Sequence, residues 1–146
     1  MGRLYAKKRT VMSDQELIQW FVNLSIYPAL SEAIGEYNPS LDYAGPENNK
    51  TLSLFIPRTL YGIDCNLAFY HHDGLYEIGG TSKDRFKSDI AMLATALFII
   101  EQTPDRWFLW GGNWARRHLA RVRLIKYFES VRAGGKDSFN FEKYKV

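Results

Sequence analysis

The pair Gly79-Gly80 stands between two helix-length segments, and this division most constrains how the chain can fold. Asp64 to Ile78 contains no proline and carries apolar side chains around most of a helix, with Asp64 as a good cap residue. The glycine pair supplies the left-handed backbone positions at which such a helix ends. A second helix is predicted from about Lys83 to Gln102, capped by Thr81 or Ser82 and stopped by Pro104. Asp84 falls in its first turn, where the helix end favours a carboxylate. Two such helices joined by a short turn fold back antiparallel.

In that hairpin, positions equidistant from a midpoint between Gly79 and Gly80, or one residue later, lie level with each other; with the midpoint between Gly80 and Thr81, His72 and Asp89 are such a pair. Asp73, the next residue, points roughly 100° away around the helix. Asp89 repeats at helical spacing with Met92, Leu93, Ala96 and Ile100, so the carboxylate belongs to the buried stripe. An imidazole with a carboxylate on one side and open space on the other is an oriented general base. The same pair also serves as a satisfied polar contact between two packed helices, and spacing alone leaves both readings open.

The remaining segments suit a mainly α single domain spanning residues 1–146, with helices flanking the hairpin and a small β element. Ser13-Asp14-Gln15-Glu16 is a capping box, which predicts a helix from Asp14 through Asn23 that Pro28 restarts and Gly35 ends. Residues 36–50 read as loop, and Thr51 to Ile56 as a short strand closed by Pro57-Arg58. A last helix is expected from Trp114 to Arg132, and residues 136–146 as an extended tail.

Composition then excludes several classes. The chain has 146 residues, 46% hydrophobic and 24% charged, which is enough to bury a core. The longest apolar run, Ile90 to Ile100, is broken by Thr95 and is far short of the roughly 20 residues that span a bilayer, so no transmembrane segment is expected. Arg3, Lys7, Lys8 and Arg9 are followed by the polar Ser13 to Glu16, which predicts no signal peptide. Cys65 is the single cysteine, so no intrachain disulfide forms and a reducing compartment is permitted.

A formal charge of +3 and a pI near 9.0 favour an anionic partner. Arg116, Arg117, Arg121, Arg123, Lys126 and Arg132 line the last helix beside a wide apolar face. They read either as a solvated face over the core or, with the nearby tryptophans, as a surface suited to lipid headgroups. No RNA- or DNA-binding motif accompanies them, so nucleic acid is disfavoured.

His72-Asp73-Gly74-Leu75-Tyr76 resembles the His-Asp-x-x-Tyr helix of the phospholipase A2 superfamily, and Asp89 is similar to the second-helix aspartate that orients the histidine there. A closer resemblance is to the disulfide-free phospholipase domain of parvovirus capsids. Its calcium loop, Tyr-x-Gly-Pro-x-Asn, is similar to Tyr43-Ala44-Gly45-Pro46-Glu47-Asn48, and Trp110-Gly111-Gly112 before a basic helix resembles the end of that domain. The chain also resembles a phage-borne family of unknown function in which an Ile-Pro-Arg segment, here Ile56-Pro57-Arg58, precedes His-Asp-x-x-Tyr and an aspartate helix. Together these resemblances cover residues 43–128.

They imply a phospholipase A2-like fold and calcium-dependent hydrolysis of a phospholipid ester without an acyl-enzyme. His72 would take a proton from the attacking water, Asp89 would hold the imidazole, and Tyr76 would support the pair by hydrogen bonding. Asp73 would bind Ca2+ together with backbone carbonyls of Tyr43 and Gly45. The interval from Gly45 to His72 is longer than the viral loop has, which leaves Tyr61-Gly62 as an alternative loop. A phospholipid membrane surface as partner, and a place in a phage or virus virion or the host cytoplasm, follow from the same resemblance. So does the alternative, a non-catalytic virion component or host-interaction protein that retains the scaffold.

Overall fold

Ser13 starts the first helix by a reciprocal exchange with Glu16. The Ser13 hydroxyl accepts the Glu16 amide at 3.2 Å, while the Ser13 amide donates to the Glu16 carboxylate at 2.8 Å. This is the N-terminal end of α1 (Asp14–Val22). The computed structural model describes residues 12–44, 58–102 and 112–141, with side chains in the last stretch from residue 115. A second helix, α2 (Tyr27–Ile34), carries Pro28 in its first turn, where the missing N–H costs nothing, and ends at Gly35.

Thr59–Leu60 (β1) and Ile63–Asp64 (β2) pair antiparallel, with Thr59 opposite Asp64. Tyr61 and Gly62 turn the chain at φ +49° and +78°, the left-handed pair that matches strand twist in a two-residue hairpin. This is the small β element of the described residues; the strand expected at Thr51 to Ile56 lies outside them.

The hairpin expected about Gly79-Gly80 is formed by α3 (Asn66–Ile78) and α4 (Ser82–Gln102). Gly79 and Gly80 take φ of +74° and +144°, which residues with a Cβ rarely adopt. Asp64 does not cap α3 from the N-cap position, because its backbone is engaged in β2; its carboxylate nevertheless accepts the Asn66 amide at 3.0 Å. At α4 the Thr81 hydroxyl accepts the Asp84 amide at 3.3 Å and the Asp84 carboxylate accepts the Thr81 amide at 2.9 Å. The last long helix, α5, runs Gly112–Gly134. With 71% helix among the described residues, the fold is mainly α.

Helix α3 is the centre of the packing. Gly74 lets α2 approach it closely, since a Cβ there would lie 2.6 Å from Leu30 Cδ2. Phe21, Tyr27 and Tyr37 surround the Tyr70 ring, whose hydroxyl donates to the Gly35 carbonyl at 2.6 Å. Phe69 meets Tyr127 of α5 edge-on. Met92, Ala96 and Ile100 of α4 are buried in the same core as Ala120 and Leu124 of α5. Among the described residues no helix is long and apolar enough to cross a membrane.

The segment after α5 departs from the extended tail that its composition suggests. Gly135–Ser138 form a 3-10 turn, and Phe139 is buried against Tyr76. The Asn140 amide donates to the Tyr76 carbonyl at 3.1 Å, its side chain to the Glu77 carbonyl at 2.9 Å, and its carbonyl accepts the Gly80 amide at 3.0 Å. The physical reason is the end of α3, whose last carbonyls lack intrahelical partners and receive them from this strip of chain. Residues 142–146 lie outside the described ones.

Candidate active site

His72 and Asp89 lie level across the α3–α4 hairpin, with His72 Nε2 2.7 Å from Asp89 Oδ1. Tyr76, one turn beyond His72 on the same face of α3, donates its hydroxyl to the same oxygen at 2.5 Å. The second oxygen, Oδ2, accepts Arg132 Nη1 from the end of α5 at 2.6 Å. Asp89 is 0% exposed and His72 6%, so the contacts are made away from bulk water, where they are strong and where an unpaired charge is costly.

Burial by itself would raise the Asp89 carboxyl. The hydrogen bonds from His72, Tyr76 and Arg132 outweigh it and hold the group below the ordinary carboxylate range. The Tyr76 hydroxyl is pushed up, first by burial and then by its bond to Asp89, and so remains a proton donor. An ionised carboxylate only accepts, which places a proton on His72 Nε2 and leaves the lone pair of the neutral ring on Nδ1. Among the described residues no hydrogen bond engages Nδ1.

The neighbouring histidine is occupied elsewhere. His71 Nδ1 lies 3.2 Å from the Thr95 hydroxyl, and its ring meets Phe21 edge-on. Burial, with a smaller contribution from His72, lowers its pKa to about 4, which keeps it neutral at pH 7. It is a packed polar residue.

Asp73 is half-buried and shares a stripe of α3 with Asn66, seven positions earlier. Asn66 tethers the incoming loop: its side chain accepts the Tyr43 amide at 2.9 Å and donates to the Leu41 carbonyl at 2.7 Å. Tyr43 is therefore held on Asp73's stripe, but about 10 Å, two helical turns, towards the N-terminus. Its ring packs on Tyr37 and Tyr70, and its hydroxyl accepts the Asn38 amide. Gly45 lies outside the described residues. In the alternative loop, the Tyr61 carbonyl accepts Arg116 Nε at 2.7 Å. Among the described residues no group of three or more His, Cys, Asp or Glu could hold a metal ion. What they offer a cation is one carboxylate, a hard oxygen donor of the kind calcium takes, with the tethered backbone of Tyr43 two helical turns away.

The chain matches no protein-family model, no curated protein and no solved structure.

The structure thus brings together His72, Asp89 and Tyr76 and keeps Tyr43 apart from them. It adds two arginines. Arg132 reads in sequence as one more basic residue on a solvated helix, and nothing in local spacing ties it to a carboxylate 43 positions earlier. Arg85 is buried one turn before Asp89, and its Nη2 donates to the Val131 and Arg132 carbonyls at 2.9 and 3.0 Å. It closes the negative end of α5, as a cation at a helix C-terminus does. The Phe86 ring lies 5.1 Å from the Arg132 guanidinium carbon.

Proposed function

We propose that the protein is a phospholipid ester hydrolase of the phospholipase A2-like type, in which His72 and Asp89 activate the attacking water. The observation that carries this reading is the division of labour on one imidazole: Nε2 tied to a buried, ionised carboxylate, Nδ1 without a protein partner among the described residues. The His-Asp-x-x-Tyr resemblance, with Tyr76 on the same Asp89 oxygen, supports it.

In this mechanism a water gives its proton to His72 Nδ1 as its oxygen attacks the ester carbonyl. Asp89 stabilises the imidazolium that forms. Collapse of the tetrahedral intermediate breaks the acyl–oxygen bond, and the imidazolium returns the proton to the departing alkoxide, so no acyl-enzyme arises. Tyr76 keeps the carboxylate turned toward the ring. Calcium, if held by the Asp73 carboxylate, would supply positive charge to the developing oxyanion, and its backbone ligands would have to come from nearer than Tyr43.

A lipid surface as partner is supported by exposed apolar residues on α4 and α5, where Phe86, Ile90, Leu119, Val122 and Ile125 lie among the exposed Lys83, Lys87, Arg123 and Lys126. Apolar side chains that enter the headgroup zone beside basic ones favour an anionic bilayer.

The Arg132 contact favours a second reading from another class. A guanidinium already paired with Asp89 leaves less charge to stabilise an imidazolium, as suits a virion component or host-interaction protein that keeps the hairpin for stability. The deciding measurement is fatty-acid release from mixed phosphatidylcholine and phosphatidylglycerol vesicles with calcium. The parent protein is expected to release fatty acid and His72→Gln to lose about 100-fold or more of that rate. A parent protein that is silent with excess calcium, and that takes up no calcium by calorimetry, sinks the hydrolase reading in favour of the scaffold.

A further inference from the structure

Asp89 uses its two oxygens unequally. Oδ1 receives both His72 Nε2 and the Tyr76 hydroxyl, and Oδ2 receives Arg132 Nη1. A carboxylate on a short side chain turns easily about its last torsion, which is broad and two-fold. With Oδ2 unbonded, only the two bonds on Oδ1, from His72 and Tyr76, would oppose rotation, and both act on the same oxygen.

We infer that Arg132 is a positioning residue: by occupying Oδ2 it locks the Asp89 carboxylate in the one rotation that presents Oδ1 to His72. Its own placement is over-determined. Arg85, one turn before Asp89 on the same helix, grips the Val131 and Arg132 carbonyls, so the backbone that carries the Arg132 side chain is fixed from α4 itself. Phe86, the next residue along α4, lies against the guanidinium from the outer side. Three neighbouring residues of α4 thus hold one arginine of α5: Arg85 by its backbone, Phe86 by its plane and Asp89 by its charge. A bridge kept only for stability needs the last of these contacts alone. The fork geometry of arginine suits the task, because a planar guanidinium fixes direction as well as charge.

The inference rests on the hydrolase reading for its kinetic consequence but not for its structural one, and the experiment separates the two. In the full-length protein the proton shared between His72 Nε2 and Asp89 is followed as a low-field proton resonance, assigned by its loss in His72→Gln. Arg132→Met, which keeps the apolar stem against Phe86, is expected to broaden that resonance or move it upfield, and Arg132→Lys to restore it in part. On vesicles the Met variant is expected to lose about tenfold in kcat with little change in KM, since a positioning contact serves the transition state more than binding. Should Arg132→Met not fold, Arg132→Gln keeps a donor without the charge and carries the same reading. A low-field resonance identical in the parent and the folded variant overturns the inference, whatever the activity. An altered resonance in a protein without activity upholds the positioning role and removes the hydrolase reading instead.

Discussion

The rings of Tyr76 and Phe139 meet edge-on, with centroids 5.1 Å apart and planes at 90°. Phe139 is therefore the wall behind the hydroxyl that donates to Asp89, although it lies beyond the last long helix. Phe139→Ala removes that wall and a buried aromatic, and is expected to cost about 3 kcal/mol of stability in urea unfolding. An unchanged urea midpoint would mean that the segment after α5 does not hold Tyr76 in place.

Acid should weaken the fold in two stages. His71 is neutral when folded, with its pKa lowered to about 4 by burial and by His72, whereas in the unfolded chain it titrates near its ordinary value. A folded pKa below the unfolded one means that the unfolded state takes up the proton first. This contribution is full above roughly pH 6.5 and is lost as pH falls towards 4, about 3 kcal/mol in all. Asp89, held below the usual carboxylate range, adds stability that is present above roughly pH 4 and is lost as pH falls through its folded pKa. Urea midpoints measured across this range should decline more steeply for the parent than for His71→Asn between pH 6.5 and 4. Parallel curves would contradict the assignment to His71.

Gly74→Ala tests how tightly α2 and α3 approach. The new methyl would come 2.6 Å from Leu30 Cδ2 and 3.2 Å from Leu30 Cβ, and Leu30 is itself fully buried. The gain of alanine over glycine within a helix, up to about 1 kcal/mol, opposes an overpacking cost of about 1–3 kcal/mol, so a net loss of roughly 1 kcal/mol is expected. A thermal midpoint that rises would show that Leu30 moves aside freely.

Cys65 should be inert while the chain is folded. Burial, with a smaller contribution from Asp64, pushes its thiol up to about 12, so almost no thiolate exists at neutral pH. Its reaction with a disulfide reagent is expected to follow unfolding, complete in denaturant and slow without it. Rapid labelling of the native protein would place the thiol at the surface.

The reach of sequence reasoning differs along the chain for physical reasons. The pairing of His72 with Asp89 was legible because a short turn between two regular helices makes facing positions a matter of counting, whereas Tyr76 came from the resemblance to a His-Asp-x-x-Tyr helix. The capping box at Ser13 is a local pattern and formed where its residues fall, and of the two caps open at the second helix the Thr81 hydroxyl takes the place, exchanging bonds with Asp84. Arg132 was not legible, because its partner is 43 positions away and the approach of α5 to α4 depends on core packing that no local pattern encodes. The docking of Asn140 was hidden for a related reason. Gly134 to Ser138 are polar or small and look like a loop, while the demand they help meet lies at the unpaired carbonyls of α3, 63 positions earlier for Glu77 and Asn140.

The distance between Arg132 and Asp89 along the chain has a consequence for synthesis. Translation runs from the N-terminal side to the C-terminal side, so the two-helix turn can form while residue 132 has yet to be added. In that interval the acid has one oxygen engaged and one loose, and the imidazole sits in a half-built frame. The frame around Asp89 is complete only once α5 has been made, so its assembly lags behind the two-helix turn by the synthesis of the residues between them.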